Sequence, residues 1–290
     1  MTTTIVRPAD RSAQTGRLEI LSRLPAKPRR APPLLFVHGA WHGAWCWEDH
    51  FLDYFARLGY ASYALNLRGH GNSLGARDVR FCRIRHFVDD VRDAVAAIGA
   101  KPILIGHSMG GFVVQKYLET ATAELGLLLA SVPPDGAKRM LKRVAKAQPL
   151  DLLVANIKYS LRPLFSTTKK VRQSLFTATT PENIVERCAA RLQDDVILGF
   201  LDYLFLDLVD VAKISTELLV IGASGDRMIG GDDLRVTGRA YGREPVMIPD
   251  VGHDLMIDEN WEQAAATIAR EISSHFGFDN ASIDRRSQIA

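Results

Sequence analysis

Cysteine is scarce in this chain. Its 290 residues contain three, Cys46, Cys82 and Cys188, and no C-x-x-C spacing. So few and so scattered, they exclude a disulfide framework and point to free thiols in a reducing, cytoplasmic setting. No H-E-x-x-H and no paired Cys/His spacing occurs, which argues against a metal site. No Gly-rich dinucleotide or P-loop pattern occurs either, so no cofactor is expected. No apolar run is long enough to span a membrane. Residues 1–16 are polar, without the apolar core of a signal peptide. The formal net charge of +3 is too small to argue for nucleic acid. No internal repeat is seen.

What is present suits one large α/β domain: 47% of the residues are hydrophobic. After a loose leader over 1–16, strands are predicted at 18–24, 33–37, 61–67, 103–105, 125–131, 218–223 and 244–248. Helices are predicted at 48–58, 86–98, 111–118 and 261–275. In the second of these, Phe87, Val91, Ala94, Val95 and Ile98 recur on one helical face. Alternating strands and helices imply a mostly parallel sheet with helices on both faces. Residues 133–210 break the alternation and read as helices without strands, most simply a lid inserted in a core of 17–132 and 211–276. The polar tail, 277–290, is expected to be mobile.

Gly106-His107-Ser108-Met109-Gly110 is a G-x-S-x-G pentapeptide between a predicted strand and a predicted helix. Such a turn strains the serine backbone and lifts its hydroxyl above the sheet. Glycines at 106 and 110 let strand and helix pass closely. A serine hydroxyl needs a base, and the base needs an orienting acid. His253 follows the last predicted strand, in a loop to which Gly252 gives freedom. Asp226 follows the strand before it, past the C-terminal end where ligands bind in open α/β sheets. The order Ser108, Asp226, His253 is that of a nucleophile elbow with its acid and histidine. Asp135, after 125–131, is the rival acid. Asp254 is read as pointing away from the site, and Asp232 and Asp233 as a helix cap. His38-Gly39-Ala40-Trp41 ends an early strand in a turn that can aim the Ala40 N–H at an oxyanion, with the Met109 N–H as second donor. Loss of one such donor costs about 3–4 kcal/mol of transition-state stabilisation. Trp41 is the candidate for lining a substrate pocket. Trp45 and Trp47 are assigned to the core. His38 and His107 are read as braces of the two turns, and His42 as bonded within its own loop.

With these residues in place the chain resembles an α/β-hydrolase-fold serine hydrolase over about 18–276. The resemblance rests on His38 to Trp41, Arg68-Gly69-His70-Gly71-Asn72-Ser73, Gly106 to Gly111, Asp226 and Gly252-His253. The loop from His38 to Trp47 is similar to that of plant methylesterases and hydroxynitrile lyases. The Arg68 to Ser73 run and the longer lid are more like bacterial esterases and lysophospholipase-type members. The resemblance implies hydrolysis of a small or medium carboxylic ester through an acyl-serine, and a small-molecule ester as partner. Two other functions use the same scaffold. One is a cofactor-free lyase or oxygenase with His253 as base, although no lid lysine, Lys158 included, is placed in the pocket as a hydroxynitrile lyase would want. The other is a ligand receptor. Epoxide and haloalkane hydrolysis are disfavoured, because that chemistry uses Asp where this chain has Ser108.

The lid divides by charge. Residues 131–175 hold ten Lys/Arg against two Asp, and residues 176–210 hold seven Asp/Glu against two Arg. This is read as two lid halves of complementary charge, in preference to attraction to an anionic substrate or a membrane surface.

Overall fold

A computed structural model of the chain describes residues 2–6 (backbone), 18–74 and 79–278. Eight strands form one sheet: β1 (Thr2–Val6), β2 (Leu18–Arg23), β3 (Leu34–Val37), β4 (Ser62–Leu65), β5 (Ile103–His107), β6 (Leu125–Leu129), β7 (Leu218–Ala223) and β8 (Val246–Ile248). Their order is β1-β2-β4-β3-β5-β6-β7-β8. Pairing is antiparallel as far as β4 and parallel from β4 to β8. The central strands are uninterrupted apolar runs. Leu34-Leu35-Phe36-Val37 is wholly buried, and so is β6, as strands covered on both faces require.

The helices that follow the first strands are α1 (Trp45–Glu48), α2 (Phe51–Arg57), α3 (Ile84–Ile98) and α4 (Met109–Leu118). Between β6 and β7 the chain runs through α5 (Lys138–Ala147), α6 (Pro149–Lys158), α7 (Thr168–Leu175), α8 (Glu182–Arg191) and α9 (Ile197–Leu201), with no strand among them. The last two helices are α10 (Gly231–Ala240) and α11 (Trp261–Phe276). Helix α2 packs against α11, and α3 against α4. In α3 the side chains of Phe87, Val91 and Ala94 are buried, as their spacing predicts.

Three expectations are corrected. The leader is not loose throughout, because Thr2–Val6 pairs with β2 at the sheet edge. Every residue of that stretch is β-branched, and β-branched residues favour extended backbone even when polar. Residues 7–17 lie outside the described residues. The single helix predicted at 48–58 is broken between α1 and α2, where His50 leaves helical geometry at φ −142°. The His50 ring lies flat on Trp261 at 4.3 Å, a tertiary contact that local spacing does not report. The tail begins in fixed structure: Gly277 closes α11 at φ 68°, and the Phe278 N–H donates to the Ser273 carbonyl at 2.8 Å. The rest of the predicted tail, 279–290, lies outside the described residues.

Candidate active site

The parallel register aligns the C-terminal ends of β3, β5, β7 and β8. Val37 stands beside Gly106, His107 beside Leu129, Leu129 beside Ile221, and Ala223 beside Ile248. The loops that leave these ends carry His38–Trp41, Ser108, Asp226 and His253, so residues far apart in sequence meet along one edge.

Ser108 adopts φ 52° and ψ −119°, a region that a side-chain-bearing residue occupies only when its surroundings hold it there. They do so here. The Ser108 N–H donates to the Leu129 carbonyl at 3.0 Å, and its own carbonyl accepts from Gly111 and Val132, both at 3.1 Å. Two glycines make the turn sterically feasible. A Cβ on Gly106 would lie 2.5 Å from the Gly110 carbonyl oxygen, and one on Gly110 would collide with the carbonyl oxygens of Val37 and His38. The elbow and the loop after β3 are therefore in backbone contact.

His253 Nδ1 lies 2.7 Å from Asp226 Oδ2. The other carboxylate oxygen accepts the backbone N–H groups of Met228 at 2.7 Å and Ile229 at 2.9 Å, which fixes the acid in place. Nδ1 is thus the donor, and the neutral ring keeps its lone pair on Nε2. Burial pushes the His253 pKa down, but the charge and hydrogen bond of Asp226 outweigh it, and the net shift is upward from 6.5. His107 Nε2 donates to the His253 carbonyl at 3.0 Å. Burial, then repulsion from His253, holds the His107 ring well below its ordinary pKa and hence neutral. The rival acid is elsewhere: Asp135 is half exposed and pairs with Arg139. Asp233 does cap α10, accepting the Gly230 N–H at 3.1 Å, whereas Asp232 pairs with Arg143. Gly252 is required by space and not by freedom, since a Cβ there would lie 2.6 Å from the Leu175 carbonyl oxygen.

The loop after β3 is braced by three histidines whose pKa values move in opposite directions. His38 Nε2 accepts the Leu67 N–H at 3.2 Å, so Nδ1 donates to the Gly39 carbonyl at 2.8 Å. Burial, helped by the charge of His70, takes the His38 pKa down to about 3, so this ring is neutral. His42 instead faces two acceptors, the Ala40 carbonyl at 2.7 Å and Asp254 Oδ2 at 2.9 Å. Burial lowers its pKa, but Asp254 more than offsets this, and the net shift is upward from 6.5. Asp254 is thus held by His42, but its carboxylate also lies within 4.8 Å of ring nitrogens of His107 and His253, so it borders the site instead of pointing away from it. His70 faces the Arg68 carbonyl at 3.1 Å and Asp195 Oδ2 at 3.3 Å. Its pKa is likewise raised by Asp195 against the effect of burial.

Asp195 was not singled out from the sequence. It lies in the insertion between β6 and β7 and is fully buried. It accepts the Trp41 N–H and, at 2.6 Å, the Val196 N–H. The Trp41 carbonyl accepts the Gln193 N–H at 3.0 Å. The insertion thereby fixes Trp41 in its left-handed conformation, φ 65°. Among the described residues the Ala40 N–H donates to no group, and the Met109 N–H stands at the first position of a helix, where no intrahelical acceptor exists. Trp41 is buried with its ring 4.3 Å from Phe165 of the insertion. Trp47 lies in the core, while Trp45 is half-buried between His42 and Arg191.

His42, Cys188 and Asp254 converge closely enough to hold an ion. Most of their bonding capacity is already used, however, although Asp254 Oδ1 is buried without a hydrogen-bond partner. Both His42 nitrogens face acceptors, and burial raises the Cys188 thiol well above its ordinary pKa, leaving it a donor to Asp254 at 3.5 Å. The set reads as an ion pair with a thiol beside it.

A profile of the alpha/beta hydrolase family matches residues 34–267. A bifunctional esterase/perhydrolase of Acinetobacter calcoaceticus is 32% identical over 112 residues, 37% of this chain and 39% of that protein. A monoacylglycerol lipase of Mycolicibacterium smegmatis is 37% identical over 106 residues, 33% of this chain and 38% of that protein. The chain thus spans under half the length of these relatives. Among solved structures, an esterase from Exiguobacterium antarcticum superposes with a TM-score of 0.73 over 94% of this chain and 100% of that one. Its 16% identity makes this a likeness of fold.

Proposed function

The chain belongs to the alpha/beta hydrolase family, and on that premise we propose that it hydrolyses a small or medium carboxylic ester through an acyl-serine at Ser108. The observation that carries this is the Asp226–His253 hydrogen bond of 2.7 Å at the strand ends, the same sheet edge from which β5 presents Ser108 at φ 52°. Ser108 Oγ attacks the ester carbonyl carbon while its proton passes to His253 Nε2. The oxyanion accepts the N–H groups of Ala40 and Met109. Collapse breaks the bond to the alkoxy group, which leaves as the alcohol with the proton from Nε2. Water then gives a proton to the same nitrogen and attacks the acyl carbon, releasing the carboxylic acid and restoring Ser108. Asp226 stays ionised and stabilises the imidazolium. Trp41 forms the apolar wall between this loop and the insertion, which acts as a lid over the site.

Turnover of p-nitrophenyl esters of increasing chain length by the wild type and by Ser108→Ala tests this. Wild-type turnover and its loss by about 10³-fold or more in the variant are expected. Near-normal turnover by the variant would leave His253 acting alone, as in the lyase reading.

A further inference from the structure

Helix α6 is apolar on both sides. Its inner face, with Leu152 and Ala155, lines a cavity of about 360 Å³ shared with Leu141, Ala145, Phe200 and Leu204. Its outer face carries Leu150, Leu153, Val154 and Ile157, spaced as one helical stripe and exposed by 76%, 58%, 36% and 76%. The exposed rings of Tyr159 and Phe81, 6.1 Å apart, extend the stripe. A helix that is apolar all round is normally buried, and a contiguous exposed patch of this kind marks a binding surface.

Cations flank it along the chain. Lys138, Lys142 and Lys146 on α5, Lys158 at the end of α6, and Arg162 and Lys169 beyond it are all exposed. None of the six forms an ion pair among the described residues. The two halves of the insertion do not neutralise each other, contrary to the sequence expectation. Arg172–Glu182 is the only ion pair between them among the described residues. The acidic half turns to the core instead, with Asp202 on Arg83, Asp207 on Lys116 and Asp195 on His70. Asp194 accepts the Ser160 hydroxyl and the Asp195 N–H, and forms no ion pair among the described residues. The two arginines of α5, Arg139 and Arg143, are paired by Asp135, Asp232 and Asp233, which leaves the lysines of α5 and α6 uncompensated.

We propose that α6 and its cationic collar dock the insertion on an anionic lipid surface. The apolar stripe enters the boundary between headgroups and acyl chains, and the lysines lie among the phosphates. No described helix is long and apolar enough to cross a membrane, so the contact is peripheral. A second copy of the chain is a poorer occupant, because a two-fold contact through this face would set the same cations against each other. The proposal goes beyond the ester-hydrolase reading and does not depend on chemistry at Ser108.

The test is flotation of the full-length protein with phosphatidylcholine vesicles, with and without phosphatidylglycerol. Two variants are compared, Leu153→Asp/Ile157→Asp and Lys142→Glu/Lys146→Glu, with circular dichroism and melting curves confirming their fold. The wild type is expected to float with the phosphatidylglycerol vesicles and to be released by salt. Each folded variant is expected to bind at least about tenfold more weakly. Failure of the wild type to float with anionic vesicles overturns the proposal, as does undiminished flotation of both variants. A dimer that Leu153→Asp/Ile157→Asp converts to monomer, with flotation unchanged, would give the face to a second copy and equally overturn it. Flotation reads no turnover, so its failure is distinct from failure of the ester-hydrolase reading.

Discussion

A general base works only while neutral, so the proton affinity of His253 sets the acid limb of turnover. Burial lowers that affinity and Asp226 more than restores it. The limb of kcat/KM is therefore expected above pH 6.5, activity rising with pH as His253 loses its proton. In Asp226→Asn the largest opposing charge is gone, and only the weaker pull of Asp254 still acts against burial. The limb is expected to move to lower pH, with kcat lower by about 10⁴-fold from misplaced tautomer and lost charge. Paired pH–rate profiles check this, and an unmoved limb would give it to another group. Ser108, Asp226 and His253 are legible in the sequence because turn grammar and chemistry coincide there, in G-x-S-x-G, Gly225-Asp226 and Gly252-His253. Asp195 is not legible. Nothing in Gln193-Asp194-Asp195-Val196 says which carboxylate turns inward, because that depends on how the insertion lies on the core.

Elements meet at the site with almost no slack, and Gly110 shows how little. Its Cα faces the carbonyl oxygens of Val37 and His38, so α4 presses directly on the loop that presents Ala40. In Gly110→Ala either α4 or that loop must shift. The expected result is a loss of about 1–3 kcal/mol of stability and a fall in kcat of about 100-fold, as for a displaced oxyanion donor. Thermal melts and steady-state kinetics measure both. A variant that melts lower but keeps its kcat would detach the loop from catalysis. The strand–helix alternation around this contact is readable because parallel core strands are apolar runs with turns between them. The errors came where that logic lapses. Thr2–Val6 hides a strand behind polar threonines, and the break between α1 and α2 is set by the stacking of His50 on Trp261.

Across the whole molecule, the insertion and the core share a buried ion pair, Asp195 with His70. Asp195 also holds the Trp41 N–H, so the insertion and the proposed oxyanion loop are fixed together. The sign of its pH dependence follows from the two shifts. Although burial opposes both, the pKa of His70 is raised from 6.5 and that of Asp195 lowered from 3.8. The histidine's contribution is complete below 6.5 and is lost as pH rises through its folded pKa. The aspartate's is complete above 3.8 and is lost as pH falls through its own. Between those values Asp195→Asn is expected to cost about 3 kcal/mol, with the gap in Tm from wild type narrowing above pH 6.5. It is also expected to lower kcat more than it raises KM. A Tm gap that stays constant with pH would remove the ion pair from the account. That the insertion is helical was legible in the missing strands. That several of its acids grip the core while the lysines of α5 and α6 stay unpaired was not, since both follow from tertiary pairing.

The most direct test of the central claim is reaction with a fluorophosphonate probe, with the modified peptide mapped by mass spectrometry in wild type and in Ser108→Ala. Rapid addition of one probe at Ser108, absent from the variant, is the expected result. A well-folded wild type that stays unlabelled, or carries the label on another residue, would contradict an activated nucleophile at Ser108.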